Sequence, residues 1–206
     1  EVDYVEISRA GIARLRELGV TTTPGDVAAS RAEVAILAVP DKAIGSVAAE
    51  GVPALPSGAL VMILDPAAPQ GGTVPERDDV TVFVTHPCHP PVVNDETTPE
   101  AKADFYGGIA AKQAIVCAVF RGDDSTYERG EEVARTIFAP VMRSHRITVE
   151  QMAILEPAMS ETVTLTLMYV IREAMDEAIR AGVPADAARD FILGHMNVNI
   201  GILWDY

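Results

Sequence analysis

Val80-Thr81-Val82-Phe83-Val84-Thr85-His86-Pro87-Cys88-His89-Pro90-Pro91 passes within one segment from an apolar strand to a proline-stiffened turn carrying two imidazoles and a thiol. In open α/β sheets, ligands bind outside the carboxyl ends of the strands. Pro87, Pro90 and Pro91 restrict the backbone, so His86 and His89 lose little further freedom when a substrate or metal arrives. Asn94, Asp95 and Glu96 add oxygens just beyond. A proline-rich surface loop with incidental histidines is the plain alternative. Against it, two of the chain's four histidines share this one strand exit.

Outward from this strand, apolar runs alternate with helical patterns, the signature of βαβ units and a parallel sheet. Residues 2–7, 20–22, 34–39, 59–64, 80–84 and 114–120 read as strands. The run at 34–39 is continuous enough to be buried on both faces. Ser8 caps a helix carrying Ile12, Leu15 and Leu18 and ended by Gly19; Thr23-Pro24 opens a short helix, Asp41 caps the next, and Ser125 starts one that stops before Pro140. At Thr148 the pattern changes. Thr148-x-x-Gln151 is a capping box, and no glycine interrupts the chain from there to Gly182. A helix of that length runs about 50 Å at 1.5 Å per residue, with Pro157 expected to kink it. Residues 1–147 therefore read as a Rossmann-like α/β domain, and 148–206 as an all-α domain entered through a long interdomain helix.

Strand ends at Glu6, Pro40, Asp65 and His86 have the layout of a dinucleotide site, with Val39, Pro40, Asp41 and Asp65 on the cofactor edge. In that layout a glycine-rich turn precedes, by about 20 residues, an acidic residue that binds the adenine ribose. Glu6 suits the acidic position and favours NAD, because a carboxylate repels the additional phosphate of NADP. Only five residues stand before Glu6. The first strand, glycine loop and first helix are therefore expected upstream of Glu1, and the sheet is expected to lack its first βα unit.

Sixteen basic against 30 acidic side chains leave a net charge of −14. Such a surface repels nucleic acid and anionic lipid. The most apolar stretch, 162–171, is shorter than a bilayer span and closes at Arg172 and Glu173. No nucleic acid or membrane partner is expected, and the composition reads as cytoplasmic. Cys88 and Cys117 form no disulfide pattern; both read as reduced, packed thiols.

Val39-Pro40-Asp41, Leu64-Asp65-Pro66-Ala67-Ala68, the loop from His86 to Glu96, and Glu150-Gln151-Met152-Ala153-Ile154-Leu155-Glu156-Pro157 together resemble the D-apionate oxidoisomerases. These are NAD-dependent enzymes with a phosphogluconate-dehydrogenase-like carboxyl-terminal domain, within the 6-phosphogluconate and 3-hydroxyacid dehydrogenase superfamily. The resemblance implies oxidation of a branched sugar acid coupled to an α-ketol type carbon shift, giving a 3-oxo acid. It also implies a homodimer formed through the long helix.

Hydride transfer requires a base for the hydroxyl proton, and imidazole suits neutral pH. His86 is the first choice and His89 the alternative. Many superfamily members place a catalytic lysine early in the long helix, but 148–182 contains no lysine. Glu150 and Glu156 stand there instead, which points to carboxylate or metal chemistry. A divalent cation polarises both oxygens of a carbon shift, and His86, His89 and Glu156 offer mixed ligands for it. Asn94, Arg143 and His195 are candidate substrate contacts, Arg143 as a carboxylate clamp. Two other readings remain: a non-catalytic dimerisation and substrate-binding fragment, and a simple 3-hydroxyacid or phosphogluconate-type dehydrogenase.

Overall fold

The computed structural model describes residues 1–205. The chain divides into two compact units, Glu1–Ile154 and Leu155–Tyr206.

In the first unit the order is α1 (Arg9–Glu17), α2 (Gly25–Ala29), β1 (Val34–Leu37), α3 (Asp41–Gly51), β2 (Leu60–Ile63), α4 (Ala67–Gln70), β3 (Thr81–Pro87), α5 (Pro99–Ala103), β4 (Gln113–Arg121), α6 (Asp124–Ile137), β5 (Val141–Arg146) and α7 (Val149–Ala153). The strands form one five-stranded sheet in the order β1-β2-β3-β4-β5. β1, β2 and β3 run parallel, β4 is antiparallel to β3, and β5 is parallel to β4. The sheet is therefore mixed, not wholly parallel. A parallel neighbour needs a crossover, usually a full helix. Between β3 and β4 lie the histidine loop and the single-turn α5, so the chain turns back beside itself.

Side chains on β2 alternate between two cores. Val61 and Ile63 meet Ile44, Ala48 and Val52 of the α3 side. Leu60 and Met62 join Phe83, Ile115, Cys117, Tyr127 and Ala134 on the α6 side. Gly130 lets α6 approach the sheet closely, since a β-carbon there would overlap the Phe83 ring. A third cluster packs Val149 and Met152 of α7 against Val84, Val116 and Ala118. That packing places α7 with the sheet, so the first unit extends past the boundary read at Thr148.

Several local expectations change. Residues 2–7 form no strand; a single bridge joins Tyr4 to Thr22. β1 is the edge strand and only partly buried, not covered on both faces. Pro40 is the N-cap of α3 and makes no side-chain cap bond, so Asp41 is its first helical residue and not its cap. α6 starts at Asp124, one residue before Ser125, and Asp123 caps it in a reciprocal box with Thr126. The predicted caps at Ser8 and Thr148 are present: the Ser8 hydroxyl accepts from the Gly11 N–H at 3.0 Å, and Thr148 and Gln151 bond each other's backbone.

The second unit begins within a π-helical stretch, Ile154–Thr164, and continues through α8 (Leu165–Arg180) and α9 (Ala185–Leu203). Pro157 lies inside the π-helical stretch, so the predicted kink is replaced by wider winding. The Thr162 and Thr164 hydroxyls donate to the carbonyls five residues back, Pro157 and Met159, at 2.8 and 2.9 Å. Among the described residues, Val149–Arg180 is helical for 32 residues and is long and apolar enough to cross a membrane by length and composition. The shorter stretch 162–171 hid this property. The last turns are amphipathic, with Arg172 paired to Asp176 at 3.2 Å and Arg180 paired to Glu177.

Candidate active site at the carboxyl edge of the parallel strands

Register builds the centre of the site. β2 and β3 pair Ile63 with Val84, so two residues further along both chains Asp65 and His86 emerge as neighbours. A carboxylate oxygen of Asp65 and a ring nitrogen of His86 come within 4.8 Å of each other. Asp65 is buried, and its Oδ1 accepts from the Ala67 N–H at 2.7 Å, which fixes the carboxylate as the chain turns into α4. Thr85, fully buried, anchors β3 by donating from its hydroxyl to the Val116 carbonyl at 2.9 Å.

His86 is half-buried, and desolvation pushes its pKa below the ordinary imidazole value, partly opposed by the Pro87 carbonyl, Asp65 and Asp41. Its Nδ1 lies 2.8 Å from the Pro87 carbonyl. A carbonyl only accepts, so Nδ1 carries a proton in this contact. His89 likewise donates from Nδ1 to a carbonyl, that of Tyr106, at 2.8 Å. The two imidazoles meet edge to face with centroids 6.0 Å apart. His89 has φ +60°, a conformation non-glycine residues seldom adopt. Cys88 between them is exposed, not packed as expected, while Cys117 is buried.

At the neighbouring strand end, Val39 and Pro40 follow β1, and Asp41 opens α3. The Glu6 Oε1 accepts from the Ser8 N–H at 2.7 Å, and that bond holds the carboxyl below its usual range, hence ionised. Asn94 spends its amide on its own loop, donating to the Pro91 carbonyl at 2.7 Å and accepting from the Glu96 N–H at 3.0 Å. Arg143 is exposed on β5 and pairs with Ala114. Cys88 donates its N–H to that same Ala114 carbonyl at 2.9 Å, so Arg143 stands one strand beyond the histidine loop. Arg146, by contrast, is committed to Asp124 at 2.6 Å and to the Tyr127 ring. Glu150 is exposed at the start of α7, with its carboxyl held down mainly by the Thr148 hydroxyl. In the second unit, Glu156 is partly buried in the π-helical stretch. His195 stacks on Phe191 at 3.9 Å and bonds the Phe191 carbonyl through Nδ1.

Sequence reading placed Asp65 on the cofactor edge and missed its closeness to His86. It also missed Asp104 and Tyr106, although the run Asp104-Phe105-Tyr106-Gly107-Gly108 carries a turn signal in its paired glycines.

The carboxyl-terminal domain model of phosphogluconate dehydrogenase (decarboxylating) matches residues 94–206. A D-apionate oxidoisomerase from Rhizobium rhizogenes is 59% identical over 199 residues, covering 96% of this chain and 72% of that protein. One from Cupriavidus necator is 53% identical, with the same coverage. A crystal structure described as a semialdehyde dehydrogenase NAD-binding protein from Cupriavidus necator, in complex with calcium and NAD, superposes with a TM-score of 0.95. It is 51% identical and covers 100% of this chain and 75% of that one. An archaeal NADH-preferring ketol-acid reductoisomerase, at a TM-score of 0.72 and 17% identity, shares the fold. Identity of this extent across nearly all of the chain makes it a member of the D-apionate oxidoisomerase family.

Proposed function

We propose that the chain is an NAD-dependent oxidoreductase that oxidises a branched, D-apionate-like sugar acid and couples the oxidation to isomerisation, giving a 3-oxo acid. The 59% identity to a D-apionate oxidoisomerase over 96% of the chain carries this reading. The edge formed by Val39, Pro40, Asp41 and Asp65 suits a dinucleotide, and the ionised Glu6 is an acceptor for ribose hydroxyls. NAD, when bound, takes up the hydride. This chain's residues bind the sugar acid, orient it and move its protons.

Asp65 and His86 are the pair we assign to a divalent cation, with Glu156 as a further oxygen ligand taken from the sequence pattern. The donor set of carboxylates and one imidazole fits such an ion, whose contribution is to polarise the substrate oxygens. The related structure in complex with calcium and NAD supports this assignment. His89 replaces His86 as the proton acceptor, because the Tyr106 carbonyl holds its Nδ1–H and leaves Nε2 as the nitrogen to meet the substrate. Arg143 pairs with the substrate carboxylate. Glu150, ionised, is a second proton acceptor at the start of α7. Asn94 and His195 make looser substrate contacts.

The protein is further proposed to be a cytoplasmic homodimer. Leu165, Leu167, Tyr169 and Phe191 of the second unit are each more than half exposed, an apolar surface that a second copy would cover. Introducing Leu167→Glu and following sedimentation tests this; a variant that sediments as the wild type ends the dimer assignment.

The function itself is tested by following NADH formation with D-apionate and with linear aldonates, and by identifying the product. Turnover of D-apionate with NAD to a rearranged 3-oxo acid supports the reading. Oxidation without rearrangement points to a simple 3-hydroxyacid dehydrogenase. NAD binding without turnover of any sugar acid points to a binding module.

A further inference from the structure

The loop between α5 and β4 is built around one carboxylate. Asp104, buried at the end of α5, gathers three backbone N–H groups onto a single oxygen: Ile109 at 3.0 Å, Ala110 at 2.9 Å and Ala111 at 3.1 Å. Gly107 and Gly108 both have positive φ, and a β-carbon on Gly107 would overlap the buried Gln113 amide. The turn therefore has little room to move. Between the carboxylate and the glycines stands Tyr106, whose carbonyl accepts from His89 Nδ1 at 2.8 Å and whose ring meets the imidazole edge to face, centroids 6.0 Å apart. Phe105, Tyr106 and Ile109 are otherwise exposed, so the large side chains of this loop do not hold it by packing.

We infer that Asp104 is the positioning residue of His89: by fixing the 105–111 turn it places the Tyr106 carbonyl, and that carbonyl fixes the imidazole in the tautomer that presents Nε2 to the substrate. Backbone partners of this kind set which histidine nitrogen is basic. The inference rests on the proposed role of His89 as proton acceptor, and the experiment separates the two.

Imidazole nitrogen shifts of the four histidines are measured in the wild type, Asp104→Ala and Asp104→Asn, with His89 assigned by its absence from His89→Ala. The wild type is expected to show His89 protonated on Nδ1 alone. Asp104→Ala is expected to show averaging between the two tautomers, and a kcat about 10-fold lower with KM for NAD unchanged. Asn, which still presents a carbonyl oxygen to the three N–H groups, is expected to restore most of the tautomer bias and of kcat. In Asp104→Ala/His89→Ala, kcat is expected to equal that of His89→Ala alone. A His89 tautomer that survives Asp104→Ala in a folded protein, or kinetic losses that multiply in the double variant, overturns the inference. A His89→Ala enzyme with full kcat instead removes the proton-acceptor role, while the tautomer comparison still decides what Asp104 does. Where the alanine variant does not fold, Gly107→Ala, whose β-carbon would displace the same turn against Gln113, provides that comparison, and an unchanged His89 tautomer in it overturns the inference.

Discussion

The Glu6 carboxylate lies directly over Gly11, so that a β-carbon on that glycine would overlap it. Only a glycine in the first turns of α1 leaves the carboxylate its place beside the Ser8 N–H. We predict that Gly11→Ala displaces Glu6 and weakens NAD binding about 10-fold, the scale of one lost hydrogen bond to a charged group. The variant's helix is expected to be intact, since alanine favours helix over glycine. Calorimetric titration with NAD checks this, and an unchanged Kd removes Glu6 from the cofactor site.

In the proposed site, Glu6 is also expected to set the choice of cofactor. Glu6→Gln removes the charge that repels an additional phosphate, so the ratio of NAD to NADP affinity is expected to fall in that variant. Titrating both cofactors in parallel measures it. A wild type that prefers NADP contradicts the assignment outright.

Burial depresses the His86 pKa, and the sign of the consequence follows. A ligand nitrogen must be unprotonated to bind a cation. Cation affinity should therefore hold as pH falls to the ordinary imidazole value near 6.5, and decline only below it. Calcium or magnesium titrations between pH 5 and 8 read this. A decline centred above the ordinary value would show that the desolvation is outweighed by another group. His86→Ala should abolish the cation effect on turnover while leaving NAD binding in place, and Asp65→Asn should abolish that cation effect as well.

How much of this was legible in the sequence depends on whether the cause is local. The Ser8 and Thr148 caps depend on side chains within three residues, and both were readable. β5 was not, because its burial alternates poorly and Arg143, His145 and Arg146 make it look like a loop. The direction of β4 depends on where the chain goes after the histidine loop, which hydrophobic periodicity does not encode. The histidine loop was located from composition alone, but the closeness of His86 to Asp65 follows from strand register. Sequence spacing groups His89 with His86, but the Tyr106 carbonyl that meets its ring lies 17 residues away along the chain, beyond the reach of a local pattern.

Asp104 carries the last prediction, on stability against pH. Its carboxyl is held below the usual range, foremost by the Ala110 N–H, then by Ala111 and Ile109. A group whose folded pKa is depressed stabilises the fold above its unfolded pKa, near 3.9, and loses that contribution as pH falls through the folded value. Asp104→Asn cannot titrate, so at neutral pH it should be less stable than the wild type, and the gap should close as pH falls below about 4. Urea unfolding at several pH values checks this, with hydrogen exchange at Ile109, Ala110 and Ala111 as the local readout. A stability gap that stays constant with pH would show that the three N–H bonds matter for their geometry and not for the charge they meet.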